Sequence, residues 1–240
     1  MAVENGVWIM RGRDWNDPAC IRTYQELIGR INEVGFLPLF KNEIDGFSVE
    51  EQTADLFWWT GDIERDPWEW RVLAARDAEV AYGKFFGGKA GFISLPWLPV
   101  FANYRRDGYD FDARWDDELA SAREKKIMDC FERETEWTAL QLKGEAGFGK
   151  IGEKNFSGVV TALQMETYLV IRDFRRKVNR RGQAYGMPVS VYMRPETVWG
   201  YGAVTAGYGE DPAASQKKIY EHVRRLFPAA GEEPLRKVLR

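Results

Sequence analysis

The chain has 240 residues, is 45% hydrophobic and 30% charged, and carries a formal net charge of −3. Its length allows one large core or two modest ones, and ten Trp with fourteen Phe argue against disorder. One histidine (His222) and two cysteines (Cys20 and Cys130) exclude a disulfide framework, a thiolate metal site and any chemistry that needs paired histidines.

Gly, Pro or charge interrupts every apolar run before membrane-spanning length, so no membrane partner is expected. The start, MAVENGVWIMRGRDW, has no apolar stretch ahead of a small-residue cleavage site. A reducing cytoplasm is the expected compartment.

Residues 20–34 read as a helix, with Ile21, Leu27, Ile28 and Ile31 on one stripe and Gly35 as its stop. FLPLF at 36–40 reads as an edge strand, because Pro38 cannot donate a ladder bond. Ser48-Val-Glu-Glu51 is a capping box that should open a helix running to about Trp58. Asp66-Pro67 supplies an N-cap and an N1 proline for WEWRVLAA. VAYGKFF and AGFIS form a strand pair around a glycine turn, and PWLPVFANYRR follows as a short helix. The acidic run at 110–117 reads as a boundary between two units, 1–112 and 113–240; it lacks the spacing of a calcium loop.

In the second unit, 117–134, 136–147 and 156–168 read as three helices, the third capped by Asn155 or Ser157. TYLVIRDF and MPVSVYM read as strands joined by a long polar turn, with Met187, Val189, Val191 and Met193 on the buried face. ASQKKIYEHVRRLF is an amphipathic tail helix. Three helices followed by a long basic hairpin is the order of a winged helix-turn-helix. The expected fold class is therefore α+β, tandem winged-helix-like, with a C-terminal helix.

KGEAGFGKIG at 143–152 holds most of a P-loop and a G-x-G-x-x-G. Both motifs need a preceding strand, whereas TALQLKGEA is helical in pattern, and Ile151 stands where a P-loop has its magnesium-binding hydroxyl. The stretch reads as a connector, and no nucleotide or other cofactor is expected. Lys150 and Lys154 are still placed to meet a phosphate at the start of the third helix.

Charge is unevenly spread. Asp107–Glu136 holds eleven acidic residues against five basic ones, and Arg172–Arg225 holds eleven basic against five acidic. RDFRRKVNRR at 172–181 has six positive charges and one negative. Arg172, Arg175, Arg176, Lys177, Arg180 and Arg181 are either a phosphate-gripping ribbon or a solvated hairpin. On the third helix, Thr161, Gln164 and Tyr168 share a row, which makes Gln164 a candidate reader of adenine or simply an exposed polar residue.

DPWEWR (66–71), AYGKFFGGKAGFIS (81–94), WLPVFANYRRDGYDFD (97–112) and TALQMETYLVIRDFRRK (161–177) resemble the AlkZ-related family of bacterial proteins, over roughly residues 66–225. AlkZ is a DNA glycosylase built of tandem winged-helix units, so the resemblance implies that architecture and double-stranded DNA as partner. AlkZ-type enzymes use Gln-x-Gln, and relatives Gln-x-Asp, to position water and stabilise the sugar cation. By that comparison Gln164 and Glu166, in Gln164-Met165-Glu166, would be catalytic, with Glu in the final place. Side chains at i and i+2 diverge by about 200° on a helix, so the pair can meet only on extended chain. Three functions stay open: a DNA-binding winged-helix protein, a metal-independent base-excision glycosylase, and a protein-interaction module on the same scaffold.

Overall fold

The computed structural model describes residues 2–4, 7–179 and 181–240. Arg180, one of the predicted ribbon residues, lies outside the described residues. Strands β1 (Ala2–Glu4) and β2 (Val7–Ile9) pair antiparallel. Helix α1 (Tyr24–Val34) is capped by Thr23 Oγ1, which accepts from Glu26 N at 3.2 Å, and buries Leu27, Ile28, Ile31 and Val34. Gly35 ends it at φ +86°, a region only glycine enters without strain.

Strand β3 (Phe36–Pro38) lies at a sheet edge, as Pro38 requires. Helix α2 (Val49–Gln52) is far shorter than the capping box suggests. It stops because Thr53 and Ala54 go extended to bridge Ile21 and Arg13, a pairing with residues distant in sequence. Helix α3 (Pro67–Asp77) begins on the Asp66 cap. Strands β4 (Val80–Phe86) and β5 (Lys89–Ser94) form a hairpin around Gly87 and Gly88, both at positive φ.

Helix α4 (Leu98–Arg106) is followed by α5 (Phe111–Asp116), which occupies the expected boundary. Helix α6 (Ala122–Met128) starts later than its pattern suggests, at a Ser121–Glu124 capping box. Leu119, assigned to the core by periodicity, is therefore 54% exposed. Strand β6 (Glu136–Thr138) replaces the first turn of the expected second helix, because it pairs with β8. Helix α7 (Ala139–Glu145) and helix α8 (Phe156–Met165) follow. The glycine stretch 143–152 leaves the end of α7, a helix where a P-loop would have a strand, and bridges back on itself at Phe148 and Glu153.

Strands β7 (Val170–Val178) and β8 (Ala184–Met193) form the long hairpin. Its distal half runs beyond the core, so Met187, expected on the buried face, is 83% exposed. Short helices α9 (Pro195–Trp199) and α10 (Tyr201–Val204) lead to α11 (Pro212–Leu226). A further helix, α12 (Glu232–Leu239), was not legible as a separate element and buries Leu235, Val238 and Leu239.

The two three-stranded sheets share one topology. The first runs helix α1, strand β3, helices α2 and α3, hairpin β4–β5; the second runs α6, β6, α7 and α8, β7–β8. Each sheet has the order first strand, third strand, second strand, all antiparallel. The units interlock: α8 packs on β4, and α3 packs on β7. One buried apolar cluster contains residues on both sides of residue 112, from Ile21 to Leu239. Arg106, 1% exposed, ties this seam together. It donates to Glu196 Oε1 at 2.5 Å, to the Thr167 carbonyl at 2.7 Å and to the Tyr208 hydroxyl at 3.0 Å.

Candidate nucleic-acid interface

Where α3 meets β7 the seam opens into a cleft of about 510 Å³. Helix α3 contributes Trp68, Glu69 and Arg71 because its first two turns face the hairpin. The β4–β5 hairpin contributes Tyr82 and Lys84. From the other unit come Phe174 and Arg176, two residues apart on β7 and so on one face of the strand, with Met187 and Ser190 across from them on β8.

Arg71 is the central side chain, 7% exposed. Its guanidinium carbon lies 3.7 Å from the Trp68 ring centroid and 4.1 Å from that of Phe174. Nε and Nη1 are closed to solvent and have no hydrogen-bond partner among the described residues. Burial pulls its pKa below the usual arginine value. Tyr82, buried beside it, is pushed up to about 12 and stays a neutral phenol. Lys84 reaches Thr161 Oγ1 at 3.5 Å.

The rim is held by Asp66, 0% exposed. Its carboxylate accepts from Trp59 N at 3.1 Å, Trp68 N at 2.8 Å and Gly61 N at 2.9 Å. These bonds keep Trp59 at φ +62°, an uncommon conformation for a large residue. Trp59 is 44% exposed, its ring 6.4 Å from that of Trp68, so an aromatic surface continues outward from the cleft.

The predicted ribbon divides into two parts. Arg172 donates to the carbonyls of Ala75 and Arg76 at the end of α3, and so joins the two units. Arg175 makes two hydrogen bonds to Glu136, at 2.7 and 3.1 Å, and one to Asp173 at 3.0 Å. Arg176, Lys177 and Arg181 are exposed and form no ion pair with any described residue. Lys150 is exposed, and Lys154 donates to the carbonyls of Gly149 at 2.8 Å and Lys150 at 2.5 Å. These two lysines border a separate cavity of about 490 Å³ that shares no lining residue with the seam cleft.

The row on the third helix does not face outward. Gln164 is 1% exposed; its Oε1 accepts from Lys84 N at 3.1 Å and its Nε2 donates to the Val160 carbonyl at 3.1 Å. Tyr168 is 2% exposed, lies beyond the end of α8 and donates to the Tyr109 carbonyl at 2.9 Å. Thr161 is half-buried against Lys84. The physical reason is the packing of α8 on β4, which covers the face that an isolated third helix would present.

Gln164 and Glu166 have separate partners. Glu166 pairs with Arg114 at 2.9 Å, and its other oxygen is buried with no hydrogen-bond partner among the described residues. Burial raises its carboxyl to about 7, against the pull of Arg114.

Of the cleft residues, only Arg176 was singled out by the sequence as a binding residue. DPWEWR and AYGKFF stood out as motifs, but nothing local says that residue 71 lies between rings at 68 and 174. The usable signal was a charged residue inside an aromatic-rich helix start, opposite a strand that alternates Phe174 with Arg176.

Fold and cleft together define an α+β protein of two interlocked units with an aromatic, cation-bearing seam. The chain matches the family model described as AlkZ related over residues 21–240, and it belongs to that family. No curated protein and no solved structure matches it. Among the described residues no helix is long and apolar enough to cross a membrane.

Proposed function

We propose that this protein binds DNA on a tandem winged-helix frame, through the distal half of the β7–β8 hairpin and the seam cleft beside it. The observation that carries the reading is the division of the ribbon. Cations at the hairpin's base are bound to carbonyls and carboxylates, whereas Arg176, Lys177 and Arg181 are exposed and form no ion pair with any described residue. Exposed, uncompensated cations on a projecting element suit phosphate contacts.

The winged-helix frame is supported by the shared order of helix, strand, two helices and hairpin, with the first strand bonded to the last. Each third helix packs on the neighbouring unit, so the reading assigns contact to the hairpin and not to α8. Val178, Tyr185 and Met187 are 62%, 50% and 83% exposed on the same hairpin, apolar groups of the kind that enter a minor groove beside basic ones. Lys150, exposed in the loop ahead of α8, would add a phosphate contact outside the hairpin, whereas Lys154 is held by the carbonyls of Gly149 and Lys150. Binding is favoured over base excision because the Gln164 amide is engaged with backbone and Glu166 with Arg114.

Duplex binding measured from 50 to 200 mM salt tests this. The logarithm of affinity should fall linearly with the logarithm of salt, and Lys177→Ala with Arg181→Ala should reduce the slope by about 2. A salt-independent affinity, or a slope untouched by the double variant, would overturn the proposal and leave the hairpin to a protein partner.

A further inference from the structure

We infer that the seam cleft is a binding site for a single nucleotide unit, its base against the aromatic wall and its phosphate against Arg71, Lys84 and Arg176. The inference deepens the DNA reading, because it names what the cleft would take from a strand, yet it can stand or fall separately.

Size comes first. About 510 Å³ falls within the range of pockets that enclose one small molecule, and is far too little for a stretch of duplex. Chemistry comes next. The wall holds three cations, Arg71, Lys84 and Arg176, against one carboxylate, Glu69; Tyr82 is a neutral phenol. A cavity with two positive charges in excess favours an anion. Its remaining surface is largely apolar, with the rings of Phe40, Trp68 and Phe174 in the lining. That combination matches a ligand with one planar π-face and one anionic group, which is the chemistry of a nucleoside monophosphate.

Arg71 supplies the independent observation. A buried guanidinium with no hydrogen-bond acceptor is costly, and ring faces replace only part of its hydration. Nη2 is not sealed as Nε and Nη1 are, and Arg71 lines the cleft. A phosphate in the cleft would accept a charge-assisted hydrogen bond from Nη2 and offset the buried positive charge, with Nε and Nη1 left against the ring faces. Arg176 and Lys84 flank it from the two units, so the site exists only because the units interlock. Glu69 and the half-buried Ser190 hydroxyl are the polar groups left to meet the edge of a base.

Calorimetric titration of the full chain with 5′-dAMP, deoxyadenosine and inorganic phosphate tests the assignment. The nucleotide should bind at least about tenfold tighter than either fragment, and Arg176→Ala and Lys84→Met should each weaken it by about tenfold. Lys177→Ala with Arg181→Ala should leave 5′-dAMP binding unchanged while weakening the duplex. Equal affinity for 5′-dAMP and deoxyadenosine would overturn the phosphate site, and equal affinity for 5′-dAMP and phosphate would overturn the stacking site. Salt-dependent duplex binding with no 5′-dAMP binding would remove this inference and spare the DNA reading; the reverse pattern would do the opposite.

Discussion

Glu166 shows how a single residue can have one role in sequence and another in space. It lies one residue beyond α8 and half-buried, which lifts its carboxyl from 4.5 to about 7. The unfolded chain loses that proton near 4.5 and the folded chain only near 7. Between those values the folded state holds more protons, so stability falls as pH rises through the window and levels off above it. Glu166→Gln cannot ionise and escapes this loss. Its advantage over the wild type should grow by an amount on the order of 3 kcal/mol between pH 4.5 and 8. Urea unfolding at the two pH values reads the difference directly, and a gap that stays constant would show that the carboxyl titrates normally.

Among the elements, α1 offers a paired test of what glycine does. Gly35 sits at φ +86°, and an added Cβ would lie 2.5 Å from Trp97 Nε1. Gly29 lies in the exposed middle of the same helix, where an added Cβ meets nothing within 4 Å. Gly35→Ala should therefore destabilise by about 2–4 kcal/mol through backbone strain and overpacking. Gly29→Ala should stabilise by up to about 1 kcal/mol through helix propensity. Thermal unfolding of both variants checks the contrast, which fails if they shift the same way. The same helix shows why some elements were legible and others not. The apolar stripe and Gly35 are local signals, so the helix and its C-terminal end could be read from the chain, whereas its start falls at Tyr24 and not at residue 20 because Ile21 bridges Thr53. Helix α2 and strand β6 were misread because their limits are set by pairing with Ile21 and with Val191–Met193.

On the scale of the whole molecule, α11 is joined to the first unit through His222. Its Nε2–H donates to the Val34 carbonyl at 2.8 Å, and Nδ1 accepts from Arg225 at 2.8 Å. The ring centroid lies 4.3 Å from that of Trp97. His222 is half-buried, and burial lowers its pKa below the usual 6.5. The neutral form is the one that fits, since a proton on Nδ1 would face the Arg225 guanidinium. With the folded value depressed, the unfolded chain binds the proton first, so this contribution is complete above 6.5 and is lost as pH falls below it. Wild type should lose stability on acidification from 7.5 to 5.5 relative to His222→Phe, a trend opposite in sign to that of Glu166. Parallel melting curves for the two proteins across that range would refute it.

The sequence by itself determined the α+β class, most helix and strand identities, the Asp66 cap, the glycine turns and the presence of a basic hairpin. Each of these follows from spacing or from backbone chemistry within a few residues. Tertiary structure alone decided which cations stay uncompensated, that Gln164 and Tyr168 are buried, and that Arg71 lies between Trp68 and Phe174. Those outcomes depend on α3 packing against β7 and α8 against β4. Contacts between residues some hundred positions apart leave no periodicity in the chain, and the energy of burying a polar group is set by neighbours that only the folded arrangement supplies.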